Sequence, residues 1–457
     1  MPKRFRTCDL DHPYLLPPSP QDWLPPNHLA YFIAEVVEQL DLSQIYACYA
    51  RKDGRGLAAY HPLLMVRLLL YAYCTGRVSS RLIERCTYED VAFRYLAANQ
   101  HLDHDTIATF RKLHLKALAA LFVQTLQLCR EAGLVKVGTV ILDGTKIAAN
   151  ASRRRSRDYQ ELEREEARLA EVVRGWLEQA AQRDEQEDSQ YGKGKRGDEL
   201  PEELASLEGR RKKIQEAKAA LEERARQRAQ QAEREWAEKK AAGERASAAE
   251  RKRWGRAKTP VEQSPASYNL TDPDSQLMKD SRSGGYLQGY NAQAAVLENQ
   301  VIVAAEVTTQ AADKQQLGPM GEKVQQNLGA KPSVLVADAG YWSEEAVTAA
   351  AWEGVSLLVS PDRKPGEPLK KNSPQSAVAL QMREKLSSPE GQRRYGLRKQ
   401  TIEPVFGQIK EGRGFRRFLL RGIEAVSAEW KLICLGHNLL KMFRAGGLRP
   451  GWAPSMA

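Results

Sequence analysis

Three carboxylates carry the chemistry that this sequence offers. Asp143 closes the apolar run at 137–142 and is followed by Gly144. Asp338 closes a second run, at 333–337, and is followed by Ala339 and Gly340. Glu403 lies in Thr401-Ile402-Glu403-Pro404-Val405-Phe406-Gly407-Gln408-Ile409-Lys410, near the start of a predicted helix. Short β-branched runs stopped by Asp-Gly or Asp-Ala-Gly read as buried strands ending at a sheet edge. A carboxylate at the carboxyl end of a strand sits where an α/β sheet usually places its chemistry. Taken singly, such an Asp is also a turn former or helix cap, and Glu403 is also an ordinary solvated helix residue. Brought together, three carboxylates repel one another unless a cation neutralises them. Oxygen-only ligands suit Mg²⁺ or Mn²⁺, and a pair of such ions suits phosphoryl transfer.

The surroundings of Glu403 sharpen this. Lys410 follows seven residues later, two helical turns on and on the same face. Tyr395 and Arg398 stand upstream. The pattern resembles the Y-x-x-R-x-x-x-E-x-x-x-x-x-x-K signature of the DDE transposases of bacterial insertion sequences. Tyr395 and Arg398 keep the first spacing, and Glu403 and Lys410 keep the last. Arg398 is one residue too far from Glu403, whereas Lys399 has the right spacing with a different residue type, so the signature Arg falls on one or the other. The resemblance extends over nearly the whole chain, through Leu142-Asp143-Gly144-Thr145-Lys146, Asp272-Pro273-Asp274-Ser275, Gly289-Tyr290-Asn291-Ala292-Gln293 and Asp338-Ala339-Gly340-Tyr341.

That resemblance implies an α/β RNase H-like catalytic core. Asp143, Asp338 and Glu403 would be its catalytic residues and its metal ligands, holding Mg²⁺ or Mn²⁺ as a pair of ions. It implies binding to element ends, metal-dependent DNA strand cleavage and strand transfer by in-line phosphoryl transfer. Tyr395, Arg398 or Lys399, and Lys410 would grip phosphates close to the cut. The implied partners are transposon ends, target DNA and further copies of the chain, as a homodimer or higher oligomer on paired ends. An RNase H-like nuclease or resolvase without strand transfer would use the same acids. A catalytically silent DNA-binding regulator would be expected to have lost one of them, and all three are present.

The balance of charge agrees with a polyanionic partner. The chain has 457 residues and a net charge of +11, with a pI near 9.2, and is long enough for two or three domains. Residues 391–421 hold nine Lys or Arg against two Glu, so most of the excess surrounds Glu403. A solvated basic helix has the same composition. Beside the carboxylates the run reads as a DNA-binding track extended by Arg413, Arg416, Arg417 and Arg421. Cys8, Cys48, Cys74, Cys86, Cys129 and Cys434 are scattered without a C-x-x-C, and the seven His do not pair with them at zinc spacing. Reduced thiols in a cytoplasmic, nucleoid-associated protein are the simplest reading. The longest apolar stretch, 63–71, is too short to span a bilayer and contains Arg67. The basic start at 1–6 is not followed by the apolar segment of a signal peptide.

Five segments follow from composition and periodicity. Residues 1–26 are Pro-rich and read as extended, packed on the surface or partly disordered. Residues 27–133 show helical spacing and form an all-α N-terminal domain; within it, residues 102–112 have a capping start and a basic end and could be the recognition helix of a helix-turn-helix or an ordinary bundle helix. The resemblance implies DNA binding for this region. Residues 134–152 and 263–445 form the catalytic domain, split by a charged insertion at 153–262, and 446–457 are a tail. The insertion is about half charged. Helices at about 158–190 and 202–250 should fold as a coiled-coil-like hairpin, with Leu207, Ile214 and Leu221 facing Leu162, Leu169, Val173 and Trp176; a single solvated helix or a partly disordered insert is the alternative.

The hairpin is acidic: 158–250 hold nineteen Lys or Arg against twenty-four Asp or Glu, whereas four Arg lie in 153–157 and five basic residues in 251–258. Trp254, inside that last group, could stack on an unpaired DNA base or pack at the hairpin's foot. In the core, strands at 287–297 and 301–308, a helix at 313–328, the Asp338 strand, a helix at 343–351, a strand at 355–360 and a last helix at 424–444 give the order of elements expected of an RNase H-like fold.

Overall fold

The computed structural model describes residues 19–50, 59–191, 202–241, 266–279, 284–349, 352–362 and 376–447. Its strands are β1 (Thr139–Ala148), β2 (Ser156–Arg157), β3 (Tyr268–Asn269), β4 (Gln276–Lys279), β5 (Tyr286–Leu297), β6 (Ile302–Thr308), β7 (Val334–Ala337) and β8 (Ser356–Val359). Two compact units emerge, one of residues 1–147 with 291–457 and one of residues 148–290.

The first unit begins with helices. Leu29–Gln39, Pro62–Thr75, Ser80–Glu89, Val91–Leu96, His104–Leu113 and Leu115–Glu131 are its main ones. Their starts are chemically marked. His28 Nδ1 accepts from Ala30 N–H, Asp90 caps Val91–Leu96, and Asp103 caps His104–Leu113, each satisfying an amide that the first helical turn leaves open. Pro62 opens its helix, and Gly76, at φ 76°, closes it in the left-handed conformation. The candidate recognition helix buries Ile107, Phe110 and Arg111. Arg111 donates to Val78 O at 2.8 Å, so half of its expected basic end faces inward.

These helices share a core with the sheet. The last helix, Ile423–Arg444, packs on Pro62–Thr75, on Leu115–Glu131 and on β6. Its buried face carries Trp430, Leu432, Ile433, Leu435 and Leu439. Asn438 brackets Ile302, accepting from its N–H and donating to its carbonyl, both at 2.8 Å. Trp430 Nε1 donates to Gln293 O at 2.9 Å.

The sheet runs β6-β5-β1-β7-β8. β5 and β6 are antiparallel, as the turn at 298–300 anticipates, and Gln300 takes φ 69° there. β1, β7 and β8 are parallel. β7 is buried along its whole length, as a central parallel strand flanked by helices must be. A mixed sheet thus sits in an α/β core behind an all-α N-terminal region.

Three elements depart from expectation. β1 does not stop at Asp143 but continues to Ala148. The helix expected from 313 begins at Leu317, leaving 313–316 irregular. The helix Pro389–Gly407 runs into a π turn, Gln408–Gly412. Pro404 is inside that helix and has no N–H for the carbonyl of Gln400. Gln300 Nε2 takes that carbonyl instead, at 3.1 Å.

The second unit contains the helices Tyr159–Tyr191 and Glu202–Ala241, which pack on each other. The pairs Tyr159–Glu222, Glu166–Lys218 and Glu165–Arg210 show that they run antiparallel. Tyr159, Leu162, Leu169, Ile214, Ala217 and Leu221 form the buried seam, with Leu207 packed against it. Val173 is also buried. β2 pairs β3, and β4 pairs the first part of β5. The side chain of Trp176, the segment 1–18 and residues 242–265, including Trp254, lie outside the described residues.

Candidate active site

Register brings two of the three acids together. β1 pairs β7 in parallel with Leu142 opposite Ala337. The next residue on each strand is Asp143 and Asp338, so the sheet itself sets them side by side. Each carboxylate is anchored locally: Asp143 Oδ1 accepts from Gly144 N–H and Asp338 Oδ1 from Gly340 N–H, both at 2.8 Å.

Arg398 lies across both. Its Nη2 is 3.6 Å from Asp143 Oδ2 and 3.8 Å from Asp338 Oδ2. Nη1 donates to the Tyr395 hydroxyl at 3.1 Å, and the guanidinium lies 5.3 Å from the centre of that ring. Burial pushes the Asp143 carboxyl up to about 7, with Asp338 and Asp313 adding to the rise and Arg398 and the Gly144 amide opposing it. Burial likewise raises the Tyr395 hydroxyl above its ordinary value. The structure therefore puts Arg398, not Lys399, against the acids; Lys399 is exposed.

The third expected acid is placed differently. Glu403 is exposed. Among the described residues, no three carboxylate, imidazole or thiol groups stand together as a ready metal-ligand set. The π turn also changes the phase of the helix before Lys410, so the two-turn spacing from Glu403 is not an α-helical one. Lys410 Nζ instead reaches β1 and donates to Lys146 O at 2.7 Å.

The basic track needs one correction. Arg413 was expected among its phosphate contacts, but its Nη1 donates to Tyr73 O at 3.2 Å and Ile433 O at 3.0 Å. Burial lowers its pKa to about 10. It ties the π turn to two helices of the core. Arg416 and Arg417 are exposed, and Arg416 pairs with Glu411.

Beside the aspartates, Asp313, which the sequence reading passed over, joins Lys146, Asn291, Gln293 and Tyr341 of the segments that carry the resemblance. Asp313 Oδ1 accepts from Asn291 Nδ2 at 2.6 Å and Gln293 Nε2 at 2.7 Å, and Lys146 Nζ is 3.7 Å away. Gln293 Oε1 accepts from the Tyr341 hydroxyl. Burial raises the Tyr341 hydroxyl well above its ordinary value, with Asp143, Asp313 and Asp338 adding to it. Lys146 is held below its ordinary value by burial, against the pull of Asp313. The legible signal was in β5: Asn291 and Gln293 alternate along an Ala-rich strand and so share one face, and two fully buried amides there require polar partners.

The oxygen donors are of the type a hard divalent cation takes, although among the described residues they do not form an assembled ligand set. Two carboxylates converge on one positive nitrogen, and the fully buried Asn291 Oδ1 takes no hydrogen bond. Gly144 keeps the space clear, because a Cβ there would collide with Gln293 Nε2 and come within 2.7 Å of Asp313 Oδ1.

Comparison with known families adds two findings. Residues 362–443 match the family described as Transposase DDE domain, a span containing Arg398, Glu403 and Lys410. Residues 18–113 match the Transposase domain (DUF772) family. No curated protein and no solved structure matches the chain.

Proposed function

We propose that the chain is a DDE transposase of an insertion sequence, as its matches to the Transposase DDE domain and Transposase domain (DUF772) families support, and that it binds the ends of its element, cuts the DNA there and joins it to target DNA. The observation that carries this reading is the parallel register that sets Asp143 beside Asp338 under one arginine. We read the core as RNase H-like. In support, its sheet order β6-β5-β1-β7-β8 is third-second-first-fourth-fifth when only core strands are counted, with the last two parallel to the first.

Asp143, Asp338 and Glu403 would hold Mg²⁺ or Mn²⁺. When bound, such cations would supply the charge that in-line phosphoryl transfer needs at the attacking and leaving oxygens. The protein's own side chains do the rest. Arg398, braced by Tyr395, offers its guanidinium to a phosphate beside the acids. Lys410, which donates to Lys146 O on β1, would bring a further positive charge to the same phosphate. Arg416 and Arg417 extend the contact along the backbone of the DNA, where each neutralised phosphate adds salt-sensitive affinity. No described helix is long and apolar enough to cross a membrane.

The test is a cleavage and joining assay on duplexes carrying the element's ends. Asp143→Asn and Asp338→Asn should each abolish Mg²⁺-dependent cleavage while leaving end binding in place. Cleavage by either variant at the parent rate would overturn the assignment.

A further inference from the structure

The second unit holds a motif that the proposed reaction leaves unused, Asp272-Pro273-Asp274-Ser275. Asp272 and Ser275 belong to a buried polar frame. The Tyr290 hydroxyl donates to Asp272 Oδ1 at 2.7 Å. Ser275 Oγ donates to Asp272 O at 2.7 Å and accepts from Gln288 Nε2 at 2.8 Å. Gln288 Oε1 accepts in turn from Ser156 Oγ at 3.0 Å. Asp272, Ser275, Gln288 and Tyr290 are all buried.

Asn269, fully buried, completes the frame. Its Nδ2 donates to Ser152 O and to Ser156 Oγ, both at 2.9 Å. Its Oδ1 accepts from the N–H groups of Thr271 and Asp272, at 2.9 and 3.1 Å. A buried amide satisfied on every side holds its neighbours in one arrangement. Ser152 and Ser156 flank the 3₁₀ turn Arg153–Arg155, so one side chain pins both ends of that turn. Leu270 N–H donates to Arg155 O at 3.1 Å. Arg157 braces the turn as well: its Nη1 donates to Arg154 O and Ser156 O, at 2.6 and 3.1 Å.

What the frame presents is charge. Arg153, Arg154 and Arg155 are exposed, and among the described residues none of their side chains makes a hydrogen bond or ion pair. The acids that follow in sequence are engaged elsewhere. Asp158 and Glu161 each accept from the other's N–H, and Glu165 pairs with Arg210 and Arg157. Consecutive residues of a 3₁₀ turn point about a third of a turn apart. The three guanidinium groups therefore fan out instead of converging on one small anion. Such a fan, on a backbone held at both ends, suits an extended polyanion with phosphates spaced along a strand.

We propose that Arg153–Arg155 is a phosphate-binding turn for duplex DNA, and that Asn269, Gln288 and the Asp272–Ser275 motif are the frame that holds it in place. The proposal rests on reading the chain as a transposase that acts on DNA. Contacts of this kind position a duplex without reading its sequence.

Fluorescence anisotropy with the full chain tests this, using a duplex of the element's end and an unrelated duplex of the same length, each across a range of KCl. Arg153→Gln, Arg154→Gln and Arg155→Gln combined should lower the salt slope of binding by about two to three on both duplexes. Arg157→Gln, which removes the same charge from an internally bonded side chain, should leave the slope unchanged. Ser156→Ala keeps every arginine but cuts the link between Asn269 and Gln288, and should weaken binding to both duplexes by about threefold or more. An unchanged slope in the triple variant overturns the contact, and so does an equal loss per charge in Arg157→Gln, which would show general charge alone. Parent affinity in Ser156→Ala overturns the role of the frame. An unchanged slope with loss of two-end complexes would place the turn against protein and also overturns the proposal. If the parent chain fails to cleave the element's end, the transposase reading falls, while the contrast in slopes still decides the turn.

Discussion

Arg398 holds together two like charges that the sheet forces into proximity. Removing it leaves Asp143 and Asp338 with the more distant Lys146 for counter-charge and, on the proposed reading, takes away a donor to the reacting phosphate. Arg398→Ala should therefore lower the cleavage rate by about a hundredfold or more. Lys399→Ala, which alters an exposed side chain, should stay within about threefold of the parent, as a surface change away from the site does. Equal losses in the two variants would show that Lys399 also reaches the substrate. Gly144 is tested by stability. A Cβ at that position meets Gln293, Asp313 and Asn291 at once, so Gly144→Ala should cost about 1–3 kcal/mol by overpacking, read as a lower denaturant midpoint at constant slope.

Individual residues were unevenly legible in the sequence. Asp143 and Asp338 announce themselves because apolar runs end on them. The choice between Arg398 and Lys399 needed the structure, since spacing alone gives each a claim. Asp313 was hidden because a lone Asp after a strand looks like a helix start, and its partners lie on β5, far away in sequence.

Periodicity located the elements well, and local chemistry that overrides periodicity accounts for the differences. The strands at 287–297 and 301–308 lie within a residue of their expected bounds because continuous Ala- and Val-rich runs and a tight turn define them. The π turn at Gln408–Gly412 could not be read from apolar spacing, and it undid the two-turn geometry between Glu403 and Lys410. It also turned Arg413 inward. Arg413→Ala should thus destabilise the fold by about 2 kcal/mol or more, since two buried carbonyls lose their donor, while the salt slope of DNA binding stays unchanged. Arg416→Ala and Arg417→Ala should show the reverse, each lowering that slope by about one with little change in melting.

The same region predicts a pH response. His437, on the last helix, is buried, with Nε2 2.9 Å from Gln300 O. Burial first, then the nearby Arg413, push its pKa down from 6.5 to about 3. The folded chain keeps it neutral, whereas the unfolded chain takes up a proton below 6.5. Its contribution is full above that pH and is lost as the pH falls towards 3, at about 1.4 kcal/mol per pH unit. Urea unfolding at several pH values should show the parent losing stability relative to His437→Gln across that window. A constant difference between them would mean that the histidine titrates normally.

At the scale of the whole molecule, charge and composition divide the chain more sharply than its helices do. The hairpin of Tyr159–Tyr191 and Glu202–Ala241 has a narrow apolar seam of single Leu, Ile and Ala layers and a net charge of −5 over 158–250. A surface with that sign repels duplex DNA along its length, while the seam suffices to pair two helices but not to enclose a globular core. Its seam was legible because Leu162, Leu169, Ile214 and Leu221 recur at heptad spacing. Its extent was less so: the compact unit covers 148–290, taking in β4 and the start of β5, where composition no longer differs from the core. An acidic helical pair inserted between β1 and β5 suits contact with protein, and a transposase must bring two element ends together. Replacing 160–248 with a short flexible linker should leave single-end binding near the parent level and should impair assembly of paired-end complexes, read by native gel shift with one-end and two-end duplexes. Paired complexes and strand transfer at parent yield would refute a bridging role. A collapse of single-end binding, with the core still melting cooperatively, would instead show that DNA lies on the hairpin despite its charge, through its cationic side chains.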